Sequence, residues 1–226
     1  MTSHPAPPLI AAAHGTRDRA GVTEIQRLAE LVQSGRPDLP VRLCWLELAE
    51  PLIGEVLAGT DGPAVVVPLL LSTGYHVKID IAGTVGSRPA TAVAGQLGPD
   101  PRLTGVLLER LHDAGPVPAA GLAVFASGSS DPEAAENLAA VAAELEHLAG
   151  CGVYPRILTD KRWRDGLPPG VGVANYLLAP GYFNDQLQSI GRELGSACVA
   201  GPIGAHPAVA AVVWDRYDEA VRQLPG

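Results

Sequence analysis

Short, almost wholly apolar runs alternate along this chain with stretches in which apolar residues recur every three or four positions. The first pattern predicts buried strands and the second helices with one buried face. "PLIAAAHG" reads as a strand ending at His14, and "RAGVTEIQRLAELVQSG" as a helix stopping at Gly35. "VRLCWLE" and "EPLIGEVLAG" repeat the pair, the helix having Pro51 at its start. "PAVVVPLLLS" is apolar throughout its strand-length run, as expected for a parallel strand covered on both faces. A polar, helix-like segment follows His76. Then come "TAVAGQLG" as a strand and "DPRLTGVLLERLHDAG" as a helix.

"PVPAAG", residues 116–121, interrupts this alternation and marks a linker. The plan then restarts. "GLAVFASGSSD" is a strand and turn, "PEAAENLAAVAAELEHLAG" a helix, and "VYPRILTD" and "GVANYLLAPGYF" are strands. "SACVAGPIGAHPAVAAVVWDRYDEAVRQL" is a strand and a final helix. The halves can be laid over each other. "LIAAAHGTRD" matches "AVFASGSSD", "VVPLLLSTGYH" matches "ANYLLAPGYF", and "AGQLGPDPRLTGVLLERL" matches "AGPIGAHPAVAAVVWDRY". The expected architecture is α/β: two similar doubly wound parallel-sheet domains, flavodoxin-like in plan, arising from an internal duplication. Their expected bounds are 1–116 and 117–226.

Composition narrows the class. Of the residues, 47% are hydrophobic and 18% charged, which suits a packed globular chain. The net charge of −8 argues against a nucleic-acid partner, which would need a basic face. Three separated cysteines without a CxxC pattern fit a reducing compartment. The opening residues lack the signature of a secretory signal, and no run is long enough to cross a bilayer. The expectation is a cytoplasmic protein with neither a membrane nor a nucleic acid as partner. No GxGxxG or P-loop pattern occurs, so no nucleotide cofactor is expected.

Candidate chemistry gathers at strand ends, where open α/β sheets bind ligands. His14 ends the first strand, Glu47 the second, and Tyr75 and His76 the third. Two imidazoles and a carboxylate from three neighbouring strands could ligate a divalent metal such as Co2+, Fe2+ or Ni2+, or accept protons near neutral pH. In the second copy, Ser127 stands for His14 and Phe183 for His76, whereas glycines and Tyr75/Tyr182 recur. One site per chain, carried by the first half, is the expectation.

"AAAHGTRD", "CWLELAEPLI" and "VVVPLLLSTGYHVKIDI" together resemble the sirohydrochlorin chelatases, the ATP-independent class II tetrapyrrole chelatases. The second half resembles the long two-domain members in plan only. The resemblance implies insertion of Co2+ or Fe2+ into sirohydrochlorin, for siroheme or cobalamin, with the metal as a substrate. It implies metal-handling and catalytic roles for His14, His76 and Glu47. Ile79 stands where some relatives carry a further histidine. Arg17, Tyr75 and Lys78 are candidates for holding the ring. Other candidates for its eight carboxylates are Arg19, the "DKRWR" cluster and the "SGSSDPE" turn. Two other readings are open: a metal or tetrapyrrole carrier without turnover, and an FMN-binding module using "ASGSSD".

Overall fold

The uniformly apolar runs become the central strands. A computed structural model of the chain describes residues 6–72, 81–86, 88, 90–129 and 131–224. The first sheet contains β1 (Leu9–Ala13), β2 (Val41–Trp45), β3 (Ala64–Pro68) and β4 (Thr91–Val93), all parallel, in the order β2-β1-β3-β4. Every residue of β1 and β3 is buried, which is why neither shows polar alternation. The second sheet contains β5 (Leu122–Ala126), β6 (Val153–Ile157) and β7 (Gly172–Asn175), parallel and in the order β6-β5-β7. Two α/β units with parallel sheets are therefore present, as the duplication implied.

The helices are α1 (Arg19–Gly35), α2 (Ile53–Ala58), α3 (Pro101–Ala114), α4 (Pro132–Ala149), α5 (Tyr182–Glu193) and α6 (Pro207–Val221), with a further helical stretch over 81–85. Two details differ from the sequence reading. The strand expected around 197–200 is reduced to one bridge, Val173 to Val199; Gly201 and Pro202 interrupt the ladder, and bonding to the chain beyond β7 resumes with Ile203 N–H to Leu177 and Gly204 N–H to Leu178. The helix α5 was not legible. Tyr182 and Phe183, which read as the end of the strand "GVANYLLAPGYF", instead open this helix: β7 stops at Asn175, and Pro180 and Gly181 turn the chain into α5.

The terminal helix of each half packs on the other half. α6, from the end of the chain, lies against α1, β3 and β4. α3, from the end of the first half, lies against α4 and β7. Specific bonds fix the exchange. Trp214 Nε1 donates to the Val32 carbonyl at 3.0 Å, and Tyr217 donates its hydroxyl to Pro7 at 2.6 Å. Arg36 grips Asp218 with two bonds of 2.7 and 2.6 Å and lies 4.4 Å over the Trp214 ring. Arg216 donates to the carbonyls of Gln96 and Leu97. In the other direction Arg110 of α3 donates to the Ile203 carbonyl. His206 caps α6 by accepting from Ala208 N–H through Nδ1 at 3.2 Å. Its Nε2 faces Glu109 of α3 at 3.2 Å, so one imidazole ties both exchanged helices.

Hydrogen bonding to Arg36 holds the Asp218 carboxyl below the usual carboxylate range. Its support for the α1–α6 contact is thus complete above the ordinary carboxylate pKa. It fades on acidification through the lowered one. Among the described residues no helix is long and apolar enough to cross a membrane.

The exchange predicts that the halves cannot unfold separately. Trp45 lies in the first half and Trp163 in the second, both nearly buried. Denaturant curves of the unaltered protein followed by tryptophan fluorescence and by far-ultraviolet circular dichroism should coincide in midpoint and slope. Two separated transitions would refute the coupling.

Candidate functional site

Two strand-to-helix turns face each other where the halves meet. In the first, β1 delivers His14, and Gly15 follows with φ 117°. The turn is rigid. Thr16 Oγ1 accepts from Asp18 N–H at 3.1 Å, and Asp18 caps α1 by accepting from Ala20 N–H at 2.8 Å. The chain leaving β2 is tied to this turn. Glu47 N–H donates to the His14 carbonyl at 3.1 Å, and the Glu47 carbonyl lies against Gly15. A Cβ at residue 15 would fall 1.8 Å from that oxygen, so only glycine allows this approach. The side chains then converge: His14 Nδ1 stands 3.4 Å from Glu47 Oε1, both groups being more than half exposed.

The backbone beyond Glu47 is strained. Leu48 has φ 63°, a left-handed conformation that costs a Leu about 1–2 kcal/mol. Ala49 N–H donates to the Glu47 carbonyl at 2.8 Å across Leu48, closing a tight turn that holds Glu47 over Gly15. Leu48 is left 49% exposed at the mouth of the site. No sequence signal marked it, since leucine is a poor residue for such a turn.

These groups edge a cleft of about 730 Å3 lined from both halves. Its volume suits a sizeable small molecule. Ile25, Trp45, Leu69, Leu71 and Tyr176 form a largely apolar floor. Tyr176 donates to the Leu71 carbonyl at 3.3 Å across the two halves, and burial pushes its phenol pKa up, so it stays neutral. On the far side lie Ser127, Gly128, Ser129 and Thr159, then Tyr182 and Phe183 at the start of α5. Tyr182 is 77% exposed and meets Phe183 edge to face with ring centres 5.4 Å apart. The Pro180 carbonyl comes so near α1 that a Cβ at Gly21 would lie 2.6 Å from it.

Of the residues singled out from sequence, the structure brings together His14, Glu47 and Arg17 at this cleft. Tyr75, His76, Lys78 and Ile79 lie outside the described residues. The "DKRWR" cluster does not line the cleft: Arg162 pairs with Asp160, and Arg164 bonds Glu193 while stacking on Trp163. The cysteines play no part in it. Burial pushes the Cys44 thiol up to about 12 and raises Cys151 and Cys198, so none favours a thiolate. Among the described residues no three His, Cys, Asp or Glu side chains cluster closely enough to hold a metal ion.

The family model described as CbiX matches residues 8–114, the stretch that carries His14 and Glu47. A sirohydrochlorin cobaltochelatase of Methanosarcina barkeri is 25% identical over 123 residues, covering 47% of this chain and 95% of that relative. Likeness to solved structures extends over both halves and is one of fold. SirB from Bacillus subtilis with Fe3+ superposes with a TM-score of 0.79 at 24% identity, covering 95% of both chains. SirB of B. subtilis subspecies spizizenii in complex with cobalt gives 0.81 at 22%, covering 96% of both. The two-unit arrangement, including the second half, is thus the architecture of solved chelatases.

Two substitutions test how this site is built. Gly15→Ala should lower stability by about 2 kcal/mol or more, because its Cβ must displace the Glu47 carbonyl. Leu48→Gly should do the reverse, raising stability by about 0.5–1 kcal/mol as the left-handed strain is relieved. Both are read from urea denaturation midpoints.

Proposed function

We propose that this protein is an ATP-independent chelatase that inserts Co2+ or Fe2+ into sirohydrochlorin, serving siroheme or cobalamin formation. The observation that carries the reading is the His14–Glu47 pair, 3.4 Å apart at the mouth of an apolar-floored cleft between the two halves. The pair lies within residues 8–114, which match the CbiX model, and the chain aligns over 47% of its length with a cobaltochelatase. In this reading 1–116 is the domain that handles the metal and 117–226 forms the opposite wall.

The chemistry asks for a metal ligand, a proton acceptor and a flat dry surface. Glu47 faces His14 Nδ1 and so favours the tautomer in which that nitrogen carries the proton and Nε2 has a free lone pair. That lone pair meets the incoming metal, or a proton leaving a pyrrole nitrogen. Glu47 offsets the positive charge that then appears on the imidazole. His76, which follows β3 in the sequence and lies outside the described residues, is assigned as the second imidazole. Trp45, Leu69 and Tyr176 support the ring face, while Leu48, Tyr182 and Phe183 form its lips. Arg17, exposed at the cleft, pairs with a ring carboxylate, as do Tyr75 and Lys78 in the same role.

The experiment mixes the full chain with sirohydrochlorin and Co2+ or Fe2+ and follows the absorbance of the ring. Wild type should exceed the uncatalysed rate, and His14→Ala should lose about 100-fold or more of the acceleration. A wild-type rate equal to the control would overturn the enzyme reading. Stoichiometric metal uptake without acceleration would then point to a carrier, and a yellow protein on addition of FMN to a flavin module.

A further inference from the structure

We infer that Ser127 and Thr159 form a hydroxyl pair that binds ring-edge carboxylates of the tetrapyrrole on the second-half wall of the cleft. The inference rests on the tetrapyrrole reading above and adds a binding site to it.

The two halves share most of the turn construction, although the Glu47 N–H bond to the His14 carbonyl has no counterpart from Thr159 to Ser127 among the described residues. Gly128 has φ 112° where Gly15 has 117°. Ser129 Oγ accepts from Asp131 N–H at 3.0 Å, as Thr16 accepts from Asp18. Asp131 caps α4 with φ −79° and ψ 121°, and Asp18 caps α1 with −78° and 120°. Leu158 N–H donates to the Ala126 carbonyl at 2.9 Å, as Leu46 does to Ala13. Strand register pairs Ala126 with Ile157 and Ala13 with Trp45. Counting on from those pairs, Ser127 occupies the place of His14 and Thr159 the place of Glu47.

The side chains at those places differ in kind. Thr159 Oγ1 leans over Gly128, the residue that follows Ser127, where a Cβ would lie 2.4 Å from it. Both residues line the cleft, and neither hydroxyl has a protein partner among the described residues. An alcohol is a poor ligand for Co2+ or Fe2+ beside an imidazole or a carboxylate, so this corner does not compete for the metal. It is a good O–H donor to a carboxylate.

Charge makes that donor role useful. Arg17 is the sole cation among the described residues lining the cleft, and the chain as a whole carries −8. A ring with eight carboxylates needs more partners than this. Neutral donors satisfy carboxylates without drawing a second metal ion or pairing with Glu47. The duplication has thus divided its labour: one turn keeps the metal and proton chemistry, and its copy holds the edge of the ring.

The test titrates metal-free sirohydrochlorin, and separately Co2+, into the full chain. It compares wild type, Ser127→Ala/Thr159→Val and the hydroxyl-keeping Ser127→Thr/Thr159→Ser. The Ala/Val variant should raise the ring Kd, and the KM of metallation, about fivefold to tenfold. The swapped variant should stay within about twofold of wild type, and Co2+ affinity without ring should be the same in all three. Should the double variant not fold, Ser127→Ala alone carries the test at about threefold. Ring binding by the Ala/Val variant as tight as wild type would overturn this inference and leave the chelatase reading intact. Failure of wild type to bind the ring at all would remove both.

Discussion

The reciprocal exchange of α3 and α6 is the constraint on which the cleft depends. A cleft between two independently hinged units would have no fixed width. Here each sheet is covered by a helix that belongs to the other half of the chain. Opening the cleft would therefore strip apolar cover from both sheets. It would also break the Arg36–Asp218, Trp214–Val32 and Arg110–Ile203 contacts. The Tyr176 hydroxyl, bonded to the Leu71 carbonyl beneath the floor, stitches the halves at a further point. The consequence is a slot whose walls are held by the packing of the whole molecule.

Within that frame the duplication kept the backbone and varied the side chains. Left-handed glycines, hydroxyl-closed turns and aspartate caps recur because each satisfies a geometric need at a strand-to-helix junction. A residue with a Cβ would collide there, and an uncapped helix start would leave donors unmet. The residues that project into the slot have no such duty and were free to diverge. His14 and Glu47 place an imidazole and a carboxylate there. Ser127 and Thr159, at the same places in the copy, offer uncharged hydroxyls.

The strain at Leu48 belongs to the same design. A turn that holds Glu47 over Gly15 also leaves an apolar side chain at the mouth of the slot. Glycine would make the turn at less cost in backbone energy. It would not supply the apolar surface. Strained leucine at a site lip thus trades local stability for contact area.

Most of this architecture was legible in the residues. Uninterrupted apolar runs fixed β1 and β3, because strands buried on both faces leave no room for polar residues. The 3.6-residue stripe fixed α1 to its observed ends, and the repeat itself fixed two parallel-sheet units. His14 and Glu47 were legible as strand-end groups, since such sheets present those ends to ligands. Tertiary structure alone decided the rest. Which half a terminal helix covers depends on contacts between residues some 180 positions apart, such as Arg36 and Asp218, and helical periodicity is the same whichever sheet the helix meets. The left-handed Leu48 and the free hydroxyls of Ser127 and Thr159 were likewise invisible in one dimension. Their meaning comes from what stands opposite them, and only folding brings that neighbour into place.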